Sequence, residues 1–316
     1  RGDTALHLVG EQAPTTERFA VLLDETRTYL AGGTVELDGA ESRLAWLPDT
    51  GLDPVPVNVF ASGPKNLALA ARHGDLVTMT VGAEPDQVAW ALEQVRAADP
   101  DVPVGALVVA GVGTDKAALR ELVRANASIS THFRRDAAGV LSEADAAVVA
   151  DVTRDYDDAR HATAGSLQAR DLPDDFLDRF CIIGSPDECV SRLAELVGLG
   201  LDHVVVLGGG RDADPVVRHR SDELFAAEVL PGLRWGAGGR RLRDGELDVV
   251  YPRGQPGGHD RGPMAVTATR VVGGQCVQVQ SRDRHAVAGV REAESHEGAG
   301  PLGEGEPHLV LEQMAE

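Results

Sequence analysis

Hydrophobic residues fall into two textures along this chain. Between Pro14 and Leu30, PTTERFAVLLDETRTYL sets Phe19, Leu22, Leu23 and Leu30 on one stripe at helical spacing, and Gly32 and Gly33 follow as stop signals. Continuous β-branched runs form the other texture: VPVNVFA (55–61), LVTMTV (76–81), VPVGALVVAGV (102–112) and HVVVL (203–207) predict strands. Helical stretches separate them. PKNLALAARHG (64–74) ends in a glycine at the expected C′ position, Pro85 opens PDQVAWALEQVRAA, and Thr114 is placed to cap DKAALRELVRANA. In SPDECVSRLAELVG, Ser185, Pro186 and Glu188 have the spacing of a reciprocal capping box. DELFAAEVL predicts a last helix, closing the ordered part near Arg234.

Four apolar strands alternating with helices require a parallel sheet covered by helices, because each crossover returns over a buried sheet face. An open doubly wound sheet and part of a (βα)8 barrel both satisfy this, and periodicity does not choose between them. Residues 128–180 interrupt the rhythm with a polar, Asp-rich stretch, read as an insertion, that contains a Ser142-capped helix EADAAVVADVTRDYD. From about Trp235 the texture changes to Gly- and Arg-rich text with hardly any periodicity. Residues 235–316 therefore read as a separate low-complexity tail, either disordered or translated out of frame.

A formal net charge of −20 argues against diffuse contact with nucleic acid, which needs a basic surface. Cys181 and Cys189 lie eight apart and Cys276 is remote, so neither a zinc spacing nor a disulfide framework is read, and no metal is expected. No apolar run approaches the roughly 20 residues that cross a bilayer. These features predict a soluble, cytoplasmic protein. The chain opens on Arg1-Gly2-Asp3 without Met and reads as a fragment.

One turn stands out. After Ala61, the sequence Ser62-Gly63-Pro64-Lys65 leads a strand into a helix, where free backbone N–H groups converge and can cradle a phosphate. An ordinary βα turn is the plain alternative, since Gly-Pro helix starts are common. Lys65 is one of two lysines in the chain, with Lys116. Asp157 and His161 stand four apart and would share a helix face as a metal or acid–base pair; a solvated acidic face is the commoner meaning. His73 and His203 are expected to cap or pack, and Gly208-Gly209-Gly210 either approaches a ligand or is loose. No catalytic acid or base can be named.

Four stretches resemble the luciferase-like, flavin- or deazaflavin-dependent oxidoreductases, especially the methylenetetrahydromethanopterin reductase-like branch. They are RGDTALHLVG (1–10), VFASGPKNLALAARHGDLVTMTVG (59–82), DDFLDRFCIIGSPDECVSRLAELVGLGLDHVVVLGG (174–209) and FAAEVLPGLR (225–234). The resemblance covers 1–234 and nothing beyond. It implies a (βα)8 TIM barrel of which strands five to eight are present and the first four absent. It also implies that Gly2 and Asp3 belong to the turn after the fourth strand, near the cofactor. Ala61, Ser62, Gly63, Pro64 and Lys65 would lie along the phosphate-bearing chain of coenzyme F420, Met79 would line the ring pocket, and the protein would be a homodimer. The implied activity is hydride transfer between reduced F420 and a small organic substrate. Two alternatives stay open within the resemblance: an FMN-dependent monooxygenase, and a truncated remnant without activity. Outside it, an open-sheet module binding a phosphorylated small molecule would use the same turn.

Overall fold

Five parallel strands, each followed by a helix, organise the chain. The computed structural model describes residues 3–45, 47, 53–136, 140–233, 267–272 and 275–280, all within the unit formed by residues 1–283. Two short elements come first. Helices α1 (Asp3–Leu8) and α2 (Thr16–Leu30) precede a hairpin of β1 (Val35–Leu37) and β2 (Ala40–Ser42), turned by Asp38 and Gly39 at φ 50° and 80°. Leu23 is buried and Phe19 packs on the core, as the stripe requires.

The sheet then builds through β3 (Asn58–Ala61), α3 (Pro64–His73), β4 (Leu76–Met79), α4 (Pro85–Ala98), β5 (Val104–Val112) and α5 (Lys116–His132). Helices α6 (Glu143–Arg154), α7 (Leu167–Arg170) and α8 (Asp174–Phe180) follow, then β6 (Ile182–Gly184), α9 (Pro186–Gly198), β7 (His203–Leu207) and α10 (Pro215–Leu224). A π-helical turn, Phe225–Val229, and α11 (Leu230–Gly232) continue from α10. Strand order is β3-β4-β5-β7, all parallel. Strand β5 is shared: Gly105 to Val109 pair with β7, and Ala110 to Val112 pair with β6. The βα alternation and the parallel sheet are as expected, with five such strands where four were read.

Two apolar layers hold these elements. Val59, Ala61, Val77, Met79, Val104, Ala106, Val108, Val204 and Val206 pack against Leu67 and Ala70 of α3, Val88 and Ala91 of α4, and Leu193 of α9. Val109 and Ile183 pack instead with Leu119, Leu122 and Val123 of α5 and with Val152, Phe176, Leu177 and Phe180. Each fully buried Val, Leu or Phe contributes about 1.5–3 kcal/mol, so these layers dominate stability.

Several boundaries differ from the sequence reading, for local reasons. Asp115 rather than Thr114 caps α5, because its carboxylate accepts from the N–H groups of Ala117 and Ala118. Helix α5 runs to His132, so the segment read as an insertion begins inside it. Strand β6, three residues long, went unread. Gly74 is extended, at φ −92°, and its role is space: a Cβ there would meet the Ala70 carbonyl at 2.8 Å and Val59 at 2.9 Å. The last helix starts at Pro215, capped by Asp214, well before Asp222. Within 235–316, β8 (Thr267–Val272) and β9 (Gln275–Gln280) form an antiparallel hairpin, with β8 parallel to β7, where no strand was read. The other tail residues lie outside the described set.

The capping box is as predicted. Ser185 Oγ accepts from the Glu188 N–H, while Glu188 Oε2 accepts from the Ser185 N–H at 2.7 Å. Ser185→Ala is expected to lower unfolding stability by about 1 kcal/mol, read by urea titration.

Candidate functional site

Strand β3 ends at Ala61 and leads directly into the N-terminus of α3. Gly63, at φ −81° and ψ 155°, is its N-cap, Pro64 opens its first turn, no side chain caps it, and no acidic residue lies in that turn. Helices α2, α5, α6, α9 and α10 are capped, by Thr15, Asp115, Ser142, Ser185 and Asp214, whereas α4 and α8, like α3, have no side-chain cap and both carry acidic residues in the first turn. The first-turn N–H groups of α3 thus keep the bonding capacity that a helix leaves at its start, together with its positive dipole end. Lys65 is exposed beside them. The Ser62 hydroxyl donates to the Phe133 carbonyl at 2.6 Å and ties the turn to the end of α5.

Ala61 and Met79 are buried in the layer between sheet and helices, Met79 with no exposed surface, so packing accounts for both side chains. The opposite sheet face carries a polar row. Thr78, Gly105 and His203 are aligned across β4, β5 and β7, and the imidazole crosses the space over Gly105. Thr78 Oγ1 donates to Asn58 Oδ1 at 3.0 Å. Its single proton is then committed, so His203 Nε2–H donates to Thr78 Oγ1 at 2.9 Å, which fixes the tautomer. Burial pushes His203 down to about 4, the neighbouring Asp202 opposing, and the ring is neutral at ordinary pH.

Residues 13–203 of the 316 match the family described as luciferase-like monooxygenase. The chain belongs to that family. Among curated relatives, the 5,10-methylenetetrahydromethanopterin reductase of Methanolobus tindarius is 26% identical over 213 residues, 64% of this chain and 62% of that protein. The F420-dependent glucose-6-phosphate dehydrogenase of Intrasporangium calvum is 25% identical over 206 residues, 64% of this chain and 55% of that protein. The matched segment is therefore less than two thirds of either relative's length. A solved F420-dependent secondary alcohol dehydrogenase, in complex with an F420-acetone adduct, shares the fold at TM-score 0.51. The identity is 19%, covering 74% of this chain and 68% of that one.

In this luciferase-like chain the remaining sequence candidates are dispersed. Gly2 lies outside the described residues, and Asp3 begins α1. Asp157 and His161 do not share a helix face, because α6 ends at Arg154; Asp157 caps a short 3-10 turn, Asp158–Arg160, and the ring of His161 bonds the Tyr156 hydroxyl at 2.8 Å. His73 meets Asp24 at 2.9 Å. Gly209 and Gly210 pack tightly on α5, where a Cβ would come within 2.4 Å of Leu122 and Ala125. Among the described residues no group of three metal-ligating side chains forms, and no helix is long and apolar enough to cross a membrane. Sequence reasoning missed Arg134. Nothing in HFRRD marks its guanidinium as the largest fully buried side chain described.

Proposed function

We propose that this chain holds the phosphate of a deazaflavin, coenzyme F420, at the N-terminus of α3, and serves hydride transfer between that cofactor and a small organic substrate. The observation that carries the reading is the uncapped first turn of α3, free of acidic residues and opened by Gly63-Pro64. Relatives named as F420-dependent support the choice of cofactor. Bound there, the deazaflavin would supply the hydride-carrying carbon. The protein's own part is to bind and orient: the N–H groups of Lys65 and Asn66 donate to phosphate oxygens, and the Lys65 ammonium adds a charge. Ser62 holds the turn in place through Phe133. A second reading, FMN with molecular oxygen, rests on the monooxygenase description of the family and uses the same turn for the FMN phosphate.

Fluorescence titration of the full chain with oxidised F420, and separately with FMN, tests both. Saturable F420 binding, weakened about tenfold or more by Gly63→Val with Lys65→Ala, is the expected result, since a charge-assisted hydrogen bond to phosphate contributes roughly 1.5–3 kcal/mol. Saturation by FMN alone selects the second reading. Binding of neither, by a chain whose circular dichroism shows it folded, overturns the proposal.

A further inference from the structure

Arg134 is 1% exposed, and burial pulls its guanidinium down to about 10, so the group is still charged at neutral pH. Nη1 has no hydrogen-bond partner among the described residues, and Asp145, the acid whose charge reaches it, is paired with Arg179 at 2.9 Å. A buried charge held this way adds little stability, and an apolar side chain of similar volume often serves as well. Its two hydrogen bonds both go to the last turn of α5: Nε donates to the Ser130 carbonyl at 3.2 Å and Nη2 to Thr131 Oγ1 at 2.8 Å. The guanidinium stacks over Phe180 at 4.3 Å and Phe176 at 5.2 Å, and Gly82 makes room for Nη1, since a Cβ there would stand 3.3 Å from it. The side chain is thereby fixed to α5 at one end and caged by α8 at the other.

The end of α5 carries the carbonyl that the α3 turn uses. The last carbonyls of a helix have no partner within it. Here the Ser130 carbonyl is taken by Arg134, and the Phe133 carbonyl by the Ser62 hydroxyl at 2.6 Å. The Phe133 carbonyl belongs to the peptide that joins Phe133 to Arg134, and a planar peptide turns as one piece. An Arg134 side chain locked to Ser130, Thr131 and α8 therefore sets the direction of that carbonyl. The preceding residue is held as well, because the His132 ring stacks on Tyr156 at 3.9 Å. Ser62 adjoins Gly63, the N-cap of α3, so the aim of the first-turn N–H groups follows from where Phe133 holds the hydroxyl.

We propose that Arg134 is a positioning residue for the α3 turn: through the Phe133 carbonyl and Ser62 it fixes the first-turn N–H groups in the orientation that receives a phosphate. The link to a ligand rests on the reading of that turn as the cofactor's phosphate cradle. The link between Arg134 and the turn stands on the hydrogen bonds alone.

Amide hydrogen exchange and cofactor titration of the full chain test both links, on Arg134→Met, Ser62→Ala and the double variant. Methionine fills a similar volume, so Arg134→Met should unfold close to the wild-type temperature. The reporter amide is Leu67, whose N–H donates to the Gly63 carbonyl at 2.8 Å in the first turn of α3. Its exchange should speed up about fivefold in each single variant, the effect of losing roughly one hydrogen bond. Affinity for F420, or for FMN if that is the cofactor that saturates, should fall about fivefold in each and no further in the double variant, because both changes break one connection. Thr131→Val removes one of the two grips of Arg134 at constant volume and should shift Leu67 exchange the same way, which keeps the test alive if Arg134→Met does not fold. An arginine that only supports the core would lower the unfolding temperature and leave affinity and Leu67 exchange alone. If the wild type binds neither cofactor, the phosphate reading fails by itself, and Leu67 exchange still decides whether Arg134 positions the turn. Unchanged Leu67 exchange in Arg134→Met and Thr131→Val, or losses of affinity that multiply in the double variant, overturn the proposal.

Discussion

Gly105→Ala is expected to destabilise the protein by about 3 kcal/mol or more, a large effect for a single added methyl. A Cβ at that position would stand 2.2 Å from the His203 carbonyl and 2.4 Å from its imidazole Cδ2. The imidazole could swing away. The carbonyl could not, because Gly105 and His203 are register partners and β7 is held against β5 as far as Leu207. Relief therefore requires separating two central strands, which costs packing on both faces. Urea unfolding would show the loss as a lowered midpoint at unchanged slope. Pairing Gly105→Ala with His203→Ala should recover part of the loss and leave the backbone share. A Gly105→Ala protein as stable as the wild type would mean that β5 and β7 are not in this register.

Stability should also fall in mild acid, and His203 sets the window. Its folded value is pushed down to about 4, against 6.5 for the ordinary group, so between these values the unfolded chain binds a proton that the folded chain refuses. The contribution is complete above about pH 6.5, declines as pH falls, and is lost by about pH 4, amounting to roughly 3 kcal/mol. Carboxylates act in a lower range. Asp145 and Asp178 are held below the usual carboxylate value chiefly by hydrogen bonds from Arg179 and Arg120, so the stability they give is lost only as pH drops below about 4. Unfolding free energies at pH 7.5, 6 and 5 should therefore descend in the wild type and flatten in His203→Gln, whose amide can still donate to Thr78. Parallel slopes in the two proteins would sink this assignment.

What the sequence discloses depends on how local the determining interaction is. The capping box of α9 is spelled within four residues, and the apolar runs of β3, β4, β5 and β7 mark their strands without reference to anything distant. Strand β6 is three residues long, too short for periodicity, and exists because Ala110 to Val112 pair with it. The polar row depends on Asn58, Thr78, Gly105 and His203, residues brought together only by strand register. At the candidate site, the α3 turn was legible because strand, glycine, proline and helix are consecutive. The engagement of Ser62 with Phe133 was not, since the two are 71 positions apart. Arg134 stayed hidden for the same reason: its stacking partners come from α8 and its unpaired N–H meets a glycine of the β4–α4 turn.

Strand β5 has a mechanical consequence. Val104, Ala106 and Val108 belong to one apolar layer and Val109 to the other, and the same strand passes from β7 to β6 along its length. Neither layer can come apart while the other keeps its grip on that strand. A disturbance that loosens α6 or α8 is thus felt in the helices behind β3 and β4, and the two layers should melt in a single step.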